Sequence, residues 1–466
     1  MSLLFHTFSI PGHWYVFDAN SNCVFSVDEE QYKALTEIEH GVETPENLEI
    51  LKEFQEKGFC LDANIESIYH PDTDVLEMHL KRRIQQVTLQ VTQRCNLRCS
   101  YCAYSGRYEN RTHLPKSMTF ETAKRAIDMA LSCSEDVEKL AIGFYGGEPL
   151  LEFPLIERCV NYIKQQAPDR NIFYTITTNG TLLTPEIYGY LAENNIDILI
   201  SLDGPKIIHD QSRKFPDGKG SYDLIMENIS NILNKYPESN NKLRFNAVIS
   251  PEIDDSCLPS LFKSDDILSY YNLSMSFISD LYSQELYTYS EAFTLYYNHE
   301  VCKLLLSMIG KIGKRHVSPL LGRLESVYKM EYNSLGRIPK LPPVFHPSGP
   351  CLAGARRLFV DVNGSFFPCE RVSESSNLMV IGDLDRGLDV EKAKMLLNPG
   401  QVTAEQCNKC WVIAHCFLCA AFSDNLHEIS RSMRLSRCHS VRYIFEDHLK
   451  TICFLKESGC SFEEGD

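Results

Sequence analysis

From about residue 84 the hydrophobic pattern switches repeatedly between the two-residue alternation of a strand and the 3.6-residue recurrence of a helix, and this switching limits the possible folds more than any other feature. Six short apolar runs read as strands: QQVTLQVT, KLAIGFYG, NIFYTITT, DILISLDG, KLRFNAVIS and SMSFIS. Helix patterns separate them, among them TFETAKRAIDMALS and TPEIYGYLAENN. In the second, Thr184 stands at the N-cap position and Pro185 at the first helical position. Strands alternating with helices form a parallel sheet with right-handed crossovers. Six units rather than eight predict an α/β fold, a partial (β/α)6 TIM barrel over residues 84–315, open on one side, with its chemistry at the C-terminal ends of the strands.

Four motifs fall on that rim. RCNLRCSYC follows the first strand, and GGEP (Gly146, Gly147, Glu148, Pro149) the second. TNG, with Asn179, follows the third, and SLDG, with Ser201, closes the fourth. The first motif places Cys95, Cys99 and Cys102 in a C-x3-C-x2-C spacing. Metal sites built from cysteine usually take four ligands. Three thiolates can hold three irons of a four-iron cluster and leave the fourth iron open to a ligand that is not protein. A zinc knuckle completed by His113 or a distant cysteine has the same spacing, although structural zinc has no need of a catalytic rim.

The cysteine motif after the first strand, with the aromatic Tyr101 before its last cysteine, and GGEP after the second strand resemble the radical S-adenosylmethionine (SAM) superfamily over residues 84–315. The resemblance implies a cluster on Cys95, Cys99 and Cys102 whose open iron is chelated by SAM. One electron cleaves SAM, and the resulting 5'-deoxyadenosyl radical takes a hydrogen from substrate. It also implies SAM-contacting roles for Tyr101, Gly146, Gly147, Glu148, Asn179, Ser201 and Arg213. The two glycines would let the backbone approach the methionyl amine, with Glu148 beside that cation. Asn179 and Ser201 would offer neutral hydrogen bonds, and Arg213 would pair with the methionyl carboxylate. Asn179-Gly180 and Asp203-Gly204 are also common turns.

Beyond residue 285 a Tyr-rich helical stretch leads to RIPKLPPVFHPSGP, whose five prolines, from Pro339 to Pro350, mark a linker or an extended connection, and residues 316–350 are expected to be a linker or bridging region. Residues 351–466 hold seven cysteines: Cys351, Cys369, Cys407, Cys410, Cys416, Cys419 and Cys438. Two C-x2-C pairs alone read as a zinc ribbon. Beside the first motif the set resembles the SPASM extension of radical SAM enzymes that modify peptides and proteins. That resemblance implies two auxiliary four-iron clusters, one complete on Cys407, Cys410, Cys416 and Cys438, the other one ligand short on Cys351, Cys369 and Cys419. With the radical cluster that makes three [4Fe-4S] clusters. CFLC departs from the family, where three residues usually separate the last pair. Glu370 stands where sulfatase-maturing relatives place an Asp base; it also reads as a solvated neighbour of Cys369. The remaining eight cysteines, including Cys257 and Cys302, read as buried or incidental thiols, or as the source of a missing ligand.

Residues 1–75 read as a separate unit of three strands (LFHTFSI, HWYVFDAN, CVFSVD) and two amphipathic helices closed by Gly41 and Gly58. An open sheet edge can capture an extended peptide, or the unit can be a structural cap. Ahead of such a barrel it resembles the winged-helix-like, RRE-type recognition domain of ribosomal-peptide maturases, and its opening resembles the Cys-rich-peptide (ranthipeptide and sactipeptide) maturases that make thioethers.

A net charge of -16 argues against nucleic acid and anionic membrane as partners. No apolar run spans a bilayer, and MSLLFHTFSI is not a signal peptide, so a cytoplasmic location is expected. There, 18 cysteines read as metal ligands or catalysts rather than disulfides. The expectation is an enzyme, a radical SAM oxidoreductase. It would bind the leader of a Cys-rich precursor peptide, draw electrons from a donor such as flavodoxin or ferredoxin, and install thioether crosslinks. The alternatives are formylglycine formation in a sulfatase, carbon–carbon crosslinking, or a non-catalytic zinc-structured binding protein.

Overall fold

A computed structural model describes residues 3–62, 64–109, 112–262, 272–285, 287–336, 340–347, 349 and 351–462. The chain opens with an antiparallel meander of β1 (Phe5–Ile10), β2 (His13–Asp18) and β3 (Cys23–Val27). Helices Glu29–Glu39 and Pro45–Glu56 follow, and each begins at a cap the sequence supplies. Asp28 accepts from the Gln31 N–H in a capping box, and Thr44 accepts from the Asn47 N–H just ahead of Pro45.

Strand alternation gives this sheet two apolar faces. Phe5 and Val16 pack on Leu35, Ile38, Leu51 and Phe54 of the two helices. Leu4, Phe8, Tyr15 and Phe17 face the other way and share a core with Ile413, Cys416, Phe445 and Leu449, near the end of the chain. The His6 ring stacks on Trp411 with centroids 4.0 Å apart, and its nitrogens lie 2.6 Å from Glu39 and 3.2 Å from Glu446. The three-stranded sheet is therefore covered on its second face by residues near Cys416 and Phe445. Two helices cover only one face of a three-stranded sheet, and the aromatic residues on the other face need a second cover.

The barrel strands come next. After the short β4 (Ser67–Ile68) they are β5 (Gln86–Thr92), β6 (Leu140–Gly146), β7 (Ile172–Thr178), β8 (Ile196–Ser201), β9 (Arg244–Ile249) and β10 (Asn272–Phe277). They lie side by side in chain order, all parallel. Helices Phe120–Ser132, Phe153–Gln166, Pro185–Glu193 and Tyr222–Lys235 occupy the crossovers and bury their apolar stripes on the sheet.

The sheet does not stop at six strands. After β11 (Val344–Phe345), which pairs with β4, the strand β12 (Leu358–Val360) adds to β5 in parallel, and β13 (Phe366–Phe367) returns antiparallel to it. The order is β10-β9-β8-β7-β6-β5-β12-β13. A boundary at residue 351 thus separates elements that share one sheet. Strands of three and two residues are too short to show a period, but Leu358, Phe359 and Val360 are all buried, as in a strand covered on both faces. The Tyr-rich stretch ahead of the prolines contains helix. Gly322–Ser334 is a helix, with Leu321, Leu324 and Tyr328 on one buried stripe against Leu304. Of the proline-rich stretch, residues 337–339, 348 and 350 lie outside the described residues. Among the described residues no helix is long and apolar enough to cross a membrane.

The shared core makes a checkable statement. Phe17→Ala is expected to cost about 3–5 kcal/mol in urea unfolding, as for other buried phenylalanines. Because Phe17 packs edge-on against Trp411, His415 and Phe445, amide exchange should also rise over residues 411–418. Faster exchange confined to residues 3–62 would show that the N-terminal part folds by itself.

Candidate functional site

The site is built where the loops after β5 and β6 cross. Gly147 N–H donates to the Thr92 carbonyl at 2.9 Å, and Glu148 N–H to the Arg94 carbonyl at 2.8 Å. A Cβ on Gly146 would lie 2.1 Å from the Thr92 oxygen, and one on Gly147 would lie 2.0 Å from the Arg94 oxygen. The space these glycines leave is filled by the backbone entering the cysteine loop, so a side chain at either position would block the crossing.

Glu148 is fully buried. One carboxylate oxygen accepts from Leu150 N–H at 3.0 Å and the Thr178 hydroxyl at 2.7 Å, and the other accepts from Asn179 N–H at 2.7 Å. Burial pushes this carboxyl above its ordinary value and the three donors pull it back. The carboxylate therefore ties the end of β6 to the end of β7. Its backbone carbonyl accepts from Leu151 N–H.

Asn179 reaches the cysteine loop. Its amide nitrogen donates to Asn96 at 2.9 Å and lies 3.9 Å from the Cys95 sulfur, while its oxygen accepts from Thr181. Leu97 N–H points at Cys95 Sγ and Tyr104 N–H at Cys102 Sγ, each at 3.4 Å. Burial pushes the thiols of Cys95 and Cys99 up to about 12, so both wait for a metal before losing their protons. Three thiols on one loop with backbone donors aimed at sulfur suit a cluster, whose sulfurs accept such bonds. His113 stacks on Tyr104, with centroids 5.5 Å apart. Among the described residues, no group of three or more His, Cys, Asp or Glu side chains closes to the spacing of a single metal ion.

Arg213 caps the helix Lys206–Ser212 and is buried. Its Nε donates to Asp203 at 2.9 Å, Nη1 lies 3.9 Å from Cys99 Sγ, and the guanidinium sits over the Tyr101 ring at 5.4 Å. Burial holds the Tyr101 phenol well above its ordinary value, so it stays protonated and donates to the same Asp203 oxygen. The other oxygen accepts from Val248 N–H at 3.0 Å. Asp203 is the residue the sequence reading missed: Asp-Gly after a strand looks like a turn, and the available signal was that a buried arginine needs a carboxylate. Ser201 ends β8, half-buried, on the same rim.

Behind Asp203 stands His209. Ser221 Oγ gives its single proton to the Arg213 carbonyl at 2.9 Å, so His209 Nε2 donates to Ser221 Oγ, also at 2.9 Å. Nδ1 then accepts from Asp203 N–H at 3.3 Å. This neutral tautomer, assigned from the network, uses both nitrogens. Burial first, and then Arg213, push the imidazole down to about 4.

The C-terminal cysteines fall into two groups. Cys407, Cys410, Cys416 and Cys438 line one pocket, together with Arg434 and Arg442. Cys419 lies close enough to Cys369 to push its thiol up, and the exposed Cys351 lies close enough to Cys419 to do the same there. Cys257 packs in a different core, with Ile208 and Leu258, and Cys302 is exposed on the helix Glu291–Met308; neither joins a group. Glu370 forms an ion pair at 3.0 Å with Arg357 on its own hairpin. A further connection was not foreseen. Gln90 and Gln93 donate to the two oxygens of Glu374 at 2.7 and 3.2 Å, which joins the base of the cysteine loop to the segment after Cys369.

Residues 89–263 match the model of the radical SAM superfamily. The radical SAM cyclopropyl synthase TigE of Paramaledivibacter caminithermalis is 30% identical over 276 residues, 53% of this chain and 56% of that protein. A cysteine-type anaerobic sulfatase-maturating enzyme of Clostridium novyi is 38% identical over 149 residues, 30% of this chain and 38% of that enzyme. The solved structure of native anSMEcpe with bound AdoMet and Cp18Cys peptide has a similar fold, with a TM-score of 0.56 at 19% identity over 80% of this chain and 99% of that one. The chain spans about half the length of the curated relatives it matches, or less.

Two outcomes follow from the site's geometry. Asp203→Asn leaves Arg213 buried without a counter-charge and is expected to cost about 3–5 kcal/mol, with part regained in Asp203→Asn/Arg213→Gln, read by urea unfolding of both. The folded His209 refuses a proton that the unfolded chain, near 6.5, accepts. Its contribution is therefore complete above pH 6.5 and is lost as pH falls toward 4. Between pH 6.5 and 5.5 the wild type should lose about 1 kcal/mol more than His209→Gln, and parallel stability profiles would show that the imidazole is not the cause.

Proposed function

Residues 89–263 of this chain are a radical SAM domain, and from that premise we propose that the protein modifies a ribosomally made, Cys-rich precursor peptide by joining a cysteine sulfur to carbon as a thioether. The observation that carries this reading is the meeting of Cys95, Cys99, Cys102, Tyr101, Asn179 and Arg213 at the ends of β5–β8. When bound, SAM and a four-iron cluster supply removal of a hydrogen atom from a substrate carbon by a 5'-deoxyadenosyl radical.

The chain's own part is to hold and orient. Cys95, Cys99 and Cys102 give three thiolates, and the N–H groups of Leu97 and Tyr104 steady the sulfurs. Asp203 fixes the Arg213 fork by its Nε edge, which leaves the other edge to pair with a carboxylate. Asn179 and Ser201 offer neutral hydrogen bonds, and the Glu148 carbonyl accepts from an amine. Cys407, Cys410, Cys416 and Cys438 supply four ligands for one auxiliary cluster. Cys351, Cys369 and Cys419 supply three for another, and a substrate cysteine suits the fourth place. β3 is an edge strand, to which an extended leader can add. Electrons come from a donor such as flavodoxin or ferredoxin in the cytoplasm.

Formylglycine formation is the second reading, favoured by the sulfatase-maturating relatives of Clostridium novyi and Bacteroides thetaiotaomicron. Against it stands the Arg357 partner of Glu370, the residue in the expected base position.

The test uses anaerobically purified protein with SAM, dithionite and a Cys-rich peptide encoded beside it. The expected product has lost two hydrogen atoms per crosslink and resists thiol alkylation at the joined cysteine. The Cys95→Ala/Cys99→Ala/Cys102→Ala protein should make neither product nor 5'-deoxyadenosine. Continued 5'-deoxyadenosine formation by that variant removes the assignment. An aldehyde on a sulfatase peptide, with the Cys-rich peptide untouched, establishes the second reading.

A further inference from the structure

The pocket lined by Cys407, Cys410, Cys416 and Cys438 also contains two cations and, among its lining residues, no carboxylate. Arg434 lies on the short helix Arg431–Ser436, just before Cys438, and is 1% exposed. Its Nη1 donates at 2.9 Å to the Leu418 carbonyl, between Cys416 and Cys419. Its Nη2 is buried and makes no hydrogen bond among the described residues. A guanidinium taken out of water is costly unless an opposite charge and hydrogen-bond acceptors meet it. The sulfurs of the four cysteines share the pocket with it, and its charge acts on the thiols of Cys416 and Cys438. Arg442, on the next helix, points Nη2 at Cys410 Sγ from 3.9 Å and is partly open to solvent. The other cysteine group differs. Cys351 is exposed, and the carboxylate of Glu370 acts on Cys369 together with the opposing Arg371.

We propose that Arg434 is the buried counter-ion and hydrogen-bond donor of the four-iron cluster held by Cys407, Cys410, Cys416 and Cys438, and that it raises that cluster's reduction potential. This rests on the reading of those four cysteines as cluster ligands. One-electron reduction adds a negative charge to a cluster already carrying four thiolates. A desolvated guanidinium beside it favours the reduced form, and an N–H donated to sulfur acts in the same direction. Arg434 is thus a positioning and tuning residue that touches no substrate. Arg442 does the same more weakly, because water screens it.

The experiment is a potentiometric titration with dithionite, followed by electron paramagnetic resonance, on full-length protein carrying Cys95→Ala/Cys99→Ala/Cys102→Ala so that only auxiliary signals remain. Arg434→Met keeps the bulk and removes the charge. The equilibrium constant for reducing one auxiliary signal should fall at least tenfold, which is about 59 mV for one electron. The second auxiliary signal should stay in place, and Arg434→Lys should recover part of the shift. An unmoved potential in Arg434→Met, or equal shifts in the Met and Lys variants, overturns the proposal. If Arg434→Met does not retain iron, Arg434→Lys decides: wild-type iron content and potential support the role of charge, and loss of both refutes it. Absence of any auxiliary iron and sulfide in the Arg434 parent defeats the cluster reading itself, a result distinct from a cluster whose potential ignores Arg434.

Discussion

The carboxylate of Glu148 fixes the rim on which everything else is arranged. It sits at the end of β6, fully buried, and receives one donor from its own turn and two from the end of β7. Its backbone N–H meanwhile holds the Arg94 carbonyl, one residue before Cys95. Three strand ends are thereby tied to a single residue. A buried carboxylate is tolerated only with such complete hydrogen bonding, and a side chain so occupied cannot shift without stranding three donors. Asn179 extends the same network to the cysteine loop. The second anchor, Asp203, does similar work one strand further on, where Tyr101, Arg213 and Val248 converge on its two oxygens.

Much of the barrel was legible because its strands are long enough to show a period and its helices carry their own caps. Thr184 and Pro185 begin a helix where the sequence placed one, and Thr119 caps another. The three rim cysteines and the glycine pair were legible as motifs, but the backbone crossing at Gly146 and Gly147 was not, because it joins segments some fifty residues apart in the chain. Asp203 was hidden by its resemblance to a turn. The strands β12 and β13 were hidden by brevity, while the helix Gly322–Ser334 falls in the Tyr-rich stretch that read as helical. Local pattern reveals elements; it is silent on which distant element completes a sheet or covers a face.

That silence explains the N-terminal part as well. Phe8, Tyr15 and Phe17 announce a buried face in the sequence, but nothing in the alternation says that Trp411, Phe445 and Leu449 will cover it. The outcome links the first strands to the loop that carries Cys410 and Cys416. His6, between Glu39 and Glu446 and flat against Trp411, is the polar member of that contact.

The addition of β12 to β5 carries a mechanical consequence. Leu358–Val360 is laddered to Val87–Leu89, so the segment that leads to Cys369 and the strand that leads to Cys95 belong to one hydrogen-bonded sheet. A hinge cannot run between them without breaking backbone hydrogen bonds among fully buried residues. The two cysteine-bearing regions therefore move as one body. Any opening of the sheet is left to its far flank, where β10 ends the order among the described residues.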